Sequence, residues 1–467
     1  MKMPGDIPDP EKYDISLITG FLPAESPPDS LPSPYYAKWN YVAQNMQELL
    51  TTKRLRVVVE NLEVLACDRL DTISQMRTAY STLAFISHAY IWGGETSAEV
   101  VPRSISIPFL SLCEKLELPP VATYAAVVLW NFKPISAAER LDCLENLTAR
   151  MTFTGAIDES WFYMVSVAFE ARGGLLIAIV MEAIRSIYSK DALSLAVHLR
   201  RLGAALEGLP ALLQRMYEKC DPQFYYDQVR PFLAGSKNVS KAGLPRGVVF
   251  DDGTGRMQPV QFAGGSNAQS SLIQFLDIAL GVKHQPESSG TRRANNEHAS
   301  PSDVRGLIAP EQEPVPLQPK EEPQFILEMR QYMPGPHRRF LDRLDCVTNI
   351  RDFINANPGN NDLFSSYSAC LAALVRFRNI HLQMVARYIV LPSRKIVNQA
   401  RLVSIATSHH KAVSSEHCLD DKISSRLNDI EANDDLIGTG GTNLMPFLKH
   451  VRDETQQLLD QGSIDVR

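Results

Sequence analysis

His381 is the residue of this chain whose surroundings most invite chemistry. It sits in Leu371–Leu391, LAALVRFRNIHLQMVARYIVL. At helical spacing Leu374, Phe377, His381, Met384, Val385 and Tyr388 share one face. Apart from the imidazole that face is apolar, and Arg378 lies one turn before it. A neutral imidazole in such a stripe suits an iron porphyrin, because a ring nitrogen binds the metal while hydrocarbon packs on the macrocycle. The same spacing suits a core histidine bonded to a backbone carbonyl, and no second ligand stands beside it to decide. Two other features could carry chemistry. Gly438-Thr439-Gly440-Gly441-Thr442 looks like a phosphate cradle, but it lacks the Lys-Ser/Thr ending and follows no strand. His409, His410 and His417 cluster in a polar stretch, where solvated loop histidines are the ordinary outcome and a metal site the alternative.

The elements that must position these residues read as helices. Residues 1–34 carry eight prolines and few apolar runs, which predicts an extended arm. From Tyr35, KWNYVAQNMQELLTT, RLRVVVENLEVLA, AYSTLAFISHAYIW and PPVATYAAVVLWNF predict successive helices, the last two buried. This makes a small helical domain over 35–153. A larger helical domain over 154–467 opens with a buried helix at Trp161–Tyr188, then a periodic stretch Asp191–Cys220 that Pro210 should break or kink. A glycine-rich, irregular connection spans Gly235–Gly265, and helical periodicity resumes at Ser270–Leu280. Residues 283–322 are rich in proline and polar side chains and are expected to be disordered, and a second loose stretch spans about 408–435. Few segments alternate at period two, so the class is all-α with two domains.

Composition narrows the setting. A chain of 467 residues, 45% hydrophobic and 21% charged, is ordinary for a globular protein. A net charge of −6 gives no electrostatic reason to expect nucleic acid or an anionic membrane. Seven scattered cysteines without C-x-x-C favour reduced thiols and a cytoplasmic setting. The N-terminus has no apolar signal region, and the apolar run Gly174–Met181 is too short to span a bilayer. The sequons at Asn146 and Asn238 then read as chance matches.

IHLQMVARYIVLP resembles the proximal-histidine helix of the indoleamine 2,3-dioxygenases, haem enzymes that open the indole ring of tryptophan. Five more blocks agree in the family's order: VPRSISIP at 101–108, LELPP at 116–120, FAGGSNAQSS at 262–271, MRQYMPGPHRRFL at 329–341 and GTGGTNLMPFLK at 438–449. The resemblance runs from about Tyr13 to the C-terminus, lapsing near 283–322 and 393–435.

That resemblance implies a two-domain helical protein holding haem b, with His381 as the single axial protein ligand. It makes Arg378 the arginine that neutralises a haem propionate and Asp277 the carboxylate beside it; an ordinary surface ion pair is the plain alternative. Gly265 and Ser266 would lie along the haem edge, Ser266 also near the substrate ammonium. In SWFYMVSVAFE, Phe162 and Ser166 match the residues facing oxygen and indole, and Tyr124 matches a tyrosine of the innermost pocket with Val127 and Val128 beside it. In FYYDQVRPFL, Arg230 matches the arginine that pairs with the substrate carboxylate, against a surface arginine following Asp227 as the plain alternative. Thr439 matches a lid threonine. Tyr225 stands where the family has a pocket phenylalanine, and Asn267 where alanine is common.

The function implied is insertion of dioxygen across the indole C2–C3 bond of L-tryptophan to give N-formylkynurenine, the first step of a pathway toward NAD. It needs an external electron donor to keep the iron ferrous, no nucleic acid and no membrane, and is expected of a monomer. Ser166 and Arg230 are its catalytic candidates, and no acid–base pair stands out. The alternatives are a paralogue acting on another indole, which Tyr225 and Asn267 would favour, or a haem protein that binds or senses oxygen without catalysis. Arg230 and the GTGGT loop count against the last, since oxygen storage needs no carboxylate anchor.

Overall fold

The long helix Asn361–Val385 starts where Asn360 accepts the Leu363 amide at 3.0 Å, satisfying one of the donors a helix leaves open at its N-terminus. It packs most extensively against Ala192–Leu206 on one side and Leu444–Ile464 on the other. The computed structural model describes residues 7–237, 243–284, 325–394, 438–439 and 444–464. Expectations for most of 283–322, for 408–435 with His409, His410 and His417, and for residues 440–442 of the GTGGT loop lie outside the described residues. Lys283 and His284 are the described exceptions.

The fold is all-α. The described strands are two- or three-residue pairings: Val100–Val101 parallel to Val249–Phe250, and Phe132–Pro134 antiparallel to Leu147–Ala149. One contiguous apolar cluster runs from Ile15 to Leu458. The N-terminal stretch is irregular, with a 3-10 turn at Pro10–Tyr13, but it is anchored: Phe21 meets Phe275, His337 and Phe340 edge-on at 5.0–6.3 Å.

The structure corrects five expected helices, the first being KWNYVAQNMQELLTT, which forms two, Ala37–Gln44 and Met46–Thr51, on either side of Asn45. Trp161–Tyr188 is two helices, Ile157–Ala171 and Gly173–Tyr188, joined at Arg172. The break lets the N-terminal stretch cross at Gly174, where a Cβ would overlap the Ile18 carbonyl. By length and composition Ile157–Tyr188 could cross a membrane, but 78% of its most apolar window is buried inside the fold. In Asp191–Cys220 the chain breaks at Glu207, not at Pro210. The proline sits in the first turn of Gly208–Gln214, where its missing N–H is tolerated. PPVATYAAVVLWNF supplies only the wide π turn Ala125–Leu129, since Gln269 takes the Tyr124 amide and Ser81 bonds the Ala126 carbonyl. RLRVVVENLEVLA is helical over Leu55–Glu60 alone.

Candidate active site

One cavity, with about 1790 Å³ of atom-free space including its mouth, collects the residues that the resemblance assigns to haem and substrate: Tyr124, Phe162, Ser166, Tyr225, Arg230, Gly265, Ser266, Asp277, Arg378, His381 and Thr439 all line it. They come from separate parts of the chain. Phe162 and Ser166 lie on Ile157–Ala171, Asp277 on Ser271–Leu280, and Phe377, Arg378, His381 and Met384 on Asn361–Val385. The remaining walls owe their shape to a feature the sequence reading missed. Three π turns occur among the described residues, Ala125–Leu129, Tyr225–Val229 and Ala386–Val390, and residues of all three line the cavity. Such widened turns locally re-aim side chains and recur at functional sites.

His381 is half-buried and opens onto the cavity, with its ring nearly parallel to Phe377 at 6.4 Å. Among the described residues neither ring nitrogen has a hydrogen-bond partner, so the carbonyl-bonded alternative is not what forms. Burial, helped by Arg378, pushes the imidazole down to about 4. It is therefore neutral near pH 7, the form that binds a metal. A largely enclosed, unbonded imidazole carries a desolvation cost that a ligand relieves. Among the described residues no three His, Cys, Asp or Glu side chains converge to hold a bare ion. Phe169, Phe377, Met384 and Val385 line the same cavity as the imidazole, an apolar lining that suits a metal carried in a flat hydrophobic cofactor.

Arg378 and Asp277 form a buried pair, not a surface one; their side chains are 7% and 6% exposed. Arg378 Nη2 donates to Asp277 Oδ1, and Nη1 to the Val451 carbonyl at 3.0 Å. Burial alone would raise the Asp277 carboxyl, but Arg378 and His284 outweigh it and hold it below the usual range. A guanidinium fixed in this way can address an anionic edge of a ligand without reorganising.

Across the cavity, the Phe162 ring lies 4.5 Å from that of Tyr225. Burial raises the Tyr225 phenol, Arg230 opposing, and among the described residues its hydroxyl has no hydrogen-bond partner. Arg230 is part-buried, lines the cavity and lies over the Tyr226 ring at 5.2 Å, whereas the exposed Asp227 accepts from Gln223 at 2.9 Å. The loop at Gly264–Ser266 is fastened on both sides. Gln269 Nε2 donates to the Gly264 carbonyl at 2.8 Å, the Gly264 amide donates to Thr439 O at 2.9 Å, and Thr439 Oγ1 donates to Gly265 O at 2.7 Å. Gly264 itself serves a close backbone crossing, since a Cβ there would overlap the Leu233 carbonyl.

Behind the wall lies a carboxyl that the sequence reading passed over. Glu170, fully buried, accepts from Ser270 Oγ at 2.6 Å and from the Tyr124 hydroxyl at 3.1 Å through Oε1, while Oε2 has no partner among the described residues. Burial pushes it up to about 7 against those two hydrogen bonds. Its signal was present: it follows Phe162 and Ser166 at successive four-residue steps. His88 was also missed. Its Nδ1 donates to the Phe232 carbonyl at 2.7 Å and its Nε2 accepts the Ala122 amide at 2.9 Å, fixing the tautomer and tying two cavity walls together.

Comparison with known proteins places these observations in a family. A family model described as indoleamine 2,3-dioxygenase matches residues 9–458. The chain is 39% identical over 460 residues to an indoleamine 2,3-dioxygenase of Saccharomyces cerevisiae, covering 96% of this chain and 93% of that protein. It is 34% identical over 451 residues to a 6-hydroxytryptophan 2,3-dioxygenase of Fusarium equiseti, with 96% and 97% covered. To indoleamine 2,3-dioxygenase 1 of Rattus norvegicus it is 30% identical over 454 residues, with 96% and 95% covered.

Proposed function

The chain belongs to the indoleamine 2,3-dioxygenase family of haem-dependent dioxygenases, and on that premise we propose that it converts L-tryptophan and dioxygen to N-formylkynurenine. Both oxygen atoms end in the product as the indole C2–C3 bond opens, so the overall reaction needs no leaving group and no net proton. When bound, haem b supplies the oxygen activation. The observation that carries the reading is the meeting, in one cavity, of an unbonded neutral imidazole and an arginine some distance along its wall. The first suits a haem iron and the second an amino-acid carboxylate.

The side chains divide the work by chemistry. His381 would hold the haem iron, Arg378, braced by Asp277, would neutralise a propionate, and Gly265 and Ser266 would let backbone approach the haem. Arg230 bonds the substrate carboxylate in one plane, with the Tyr226 ring beneath it limiting its freedom. Phe162 stacks on the indole, Tyr124 closes the inner end, and Ser166 offers a hydroxyl on the oxygen side. Thr439, bonded to the Gly265 carbonyl and lining the cavity, helps to shield the substrate from water. In this reading residues 35–153 form the small domain that supplies Tyr124, Val127 and Val128, and residues 154–467 the large domain that holds haem. The enzyme works as a cytoplasmic monomer with an external electron donor, feeding NAD synthesis. The test is steady-state formation of N-formylkynurenine from L-tryptophan by reduced, haem-loaded protein; no product with an adequate reductant would sink it.

A second reading is favoured by one residue. Tyr225 lines the cavity with a hydroxyl that lacks a hydrogen-bond partner among the described residues, and a relative is named for 6-hydroxytryptophan. A ring hydroxyl on the substrate would complete that bond. Comparing kcat/KM for L-tryptophan and ring-hydroxylated tryptophans, in wild type and Tyr225→Phe, separates the two. Under the second reading the substitution weakens only the hydroxylated substrates.

A further inference from the structure

Behind Arg378, away from the substrate side, lies a buried charge cluster centred on a residue from the stretch expected to be disordered. His284 Nε2 is 3.1 Å from Asp277 Oδ2, and its Nδ1 is 2.6 Å from Glu454 Oε2. The three side chains are 9%, 6% and 8% exposed. A neutral imidazole has one N–H and one lone pair, so it can donate to only one of two carboxylates and turns its lone pair on the other. Only the imidazolium donates to both. The charges then balance, with Asp277 and Glu454 against Arg378 and His284. His450 adds a contact at 3.1 Å to the other oxygen of Glu454.

The cluster joins three parts of the chain. Asp277 belongs to Ser271–Leu280, Arg378 to the helix carrying His381, and Glu454 to Leu444–Ile464. That last helix begins five residues after Thr439. It also supplies the Val451 carbonyl bonded by Arg378, so Arg378 and His284 hold it at two points.

We propose that His284 is a positioning residue whose imidazolium fastens the C-terminal helix to the Asp277–Arg378 pair, and through that pair holds the arginine and the Gly438–Thr439 loop in register at the cavity.

Burial works against charge on His284, but the hydrogen bonds to Asp277 and Glu454 prevail and raise it to about 9. Arg378 opposes them, and Lys283, Arg330, Asp345, Arg351 and Asp352 line the polar cavity beside it. The sign follows. The fold binds this proton more tightly than the open chain does, so the fastening is complete below about 6.5 and is lost as pH rises through about 9. Deprotonation leaves two buried carboxylates facing one guanidinium, a costly arrangement.

The part of the proposal that concerns haem rests on the reading of Arg378 as the propionate arginine, and the test separates the two. On haem-loaded, full-length protein, hydrogen exchange of 444–464, corrected for intrinsic rates, is followed from pH 6 to 10, together with haem transfer to excess apomyoglobin. Wild type should lose protection in a step that begins near pH 6.5 and levels off near pH 9, by tenfold or more and on the order of 100-fold in all. His284→Gln should be poorly protected already at pH 7 and show no step. Glu454→Gln should move the step to lower pH, and His284→Arg, a permanent cation, should keep protection to pH 10. Identical profiles for wild type, His284→Gln and Glu454→Gln would overturn the proposal. An exchange step without parallel acceleration of haem transfer would leave the fastening standing and overturn its link to haem through Arg378.

Discussion

Replacing Arg230 separates a tryptophan enzyme from a mere haem pocket. Its guanidinium lies over the Tyr226 ring and lines the cavity. If it meets the substrate carboxylate there, the pair is charge-assisted and largely desolvated. Truncating one partner of such a pair costs about 2–5 kcal/mol, which corresponds to roughly a 30-fold to few-thousand-fold loss of affinity. Arg230→Ala should therefore raise KM for L-tryptophan by at least that lower factor. Arg230→Lys should recover part of the loss, because an ammonium cannot bond both oxygens in one plane. Carbon monoxide affinity without substrate should be unchanged, and tryptamine, which lacks the carboxylate, should bind wild type and variants alike. The assays are N-formylkynurenine formation against tryptophan and tryptamine binding read from the haem spectrum. Wild-type KM in Arg230→Ala would refute the anchor, and equal losses for tryptamine would show that the substitution disturbs the pocket generally.

Gly264→Ala should destabilise the fold by about 2 kcal/mol or more, because its Cβ would force the Leu233–Gly235 backbone away; a variant as stable to urea as wild type would mean this crossing yields easily. Glu170 should make stability pH-dependent. Its folded pKa of about 7 lies above the ordinary 4.5, so the fold holds the proton more tightly and stability falls as pH rises between those values. The effect is at most about 3 kcal/mol, and Glu170→Gln should abolish it; urea unfolding of both proteins at pH 5 and pH 8 is the check, and parallel slopes would rule it out. Asp277→Ala leaves Arg378 buried without its carboxylate and should cost about 3–5 kcal/mol, whereas the double replacement of Asp277 and Arg378 by apolar residues should cost less. Equal costs would mean that the pair is solvated.

What was legible in the sequence is what local spacing encodes. His381 stood out because one polar group interrupts an apolar helix face, and Phe162 and Ser166 share a face by simple periodicity. The cavity brings these together with Arg230, Arg378 and Thr439, residues that only the resemblance of their ordered blocks points to. Other features depend on partners far away. The break at Arg172 is hidden in a continuous apolar run, because its cause is the Ile18 backbone crossing at Gly174. The π turn after Tyr124 forms because Gln269, 145 residues on, takes the Tyr124 amide. His284 sits at the edge of a proline-rich polar stretch with no apolar neighbour to mark it, and one of the carboxylates that bury it is 170 residues away. Composition reads such a residue as solvated; only tertiary contact makes it structural.

The most direct test of the account is the visible spectrum of the reduced protein under carbon monoxide, recorded before and after adding L-tryptophan, for wild type and His381→Ala. The account predicts one haem per chain in wild type, a Soret band characteristic of the carbon monoxide complex, and a clear change in that band on adding tryptophan. His381→Ala, with its helical content preserved, should retain little haem. Full haem content in the variant with an unchanged Soret band would remove His381 as the ligand and contradict the central claim.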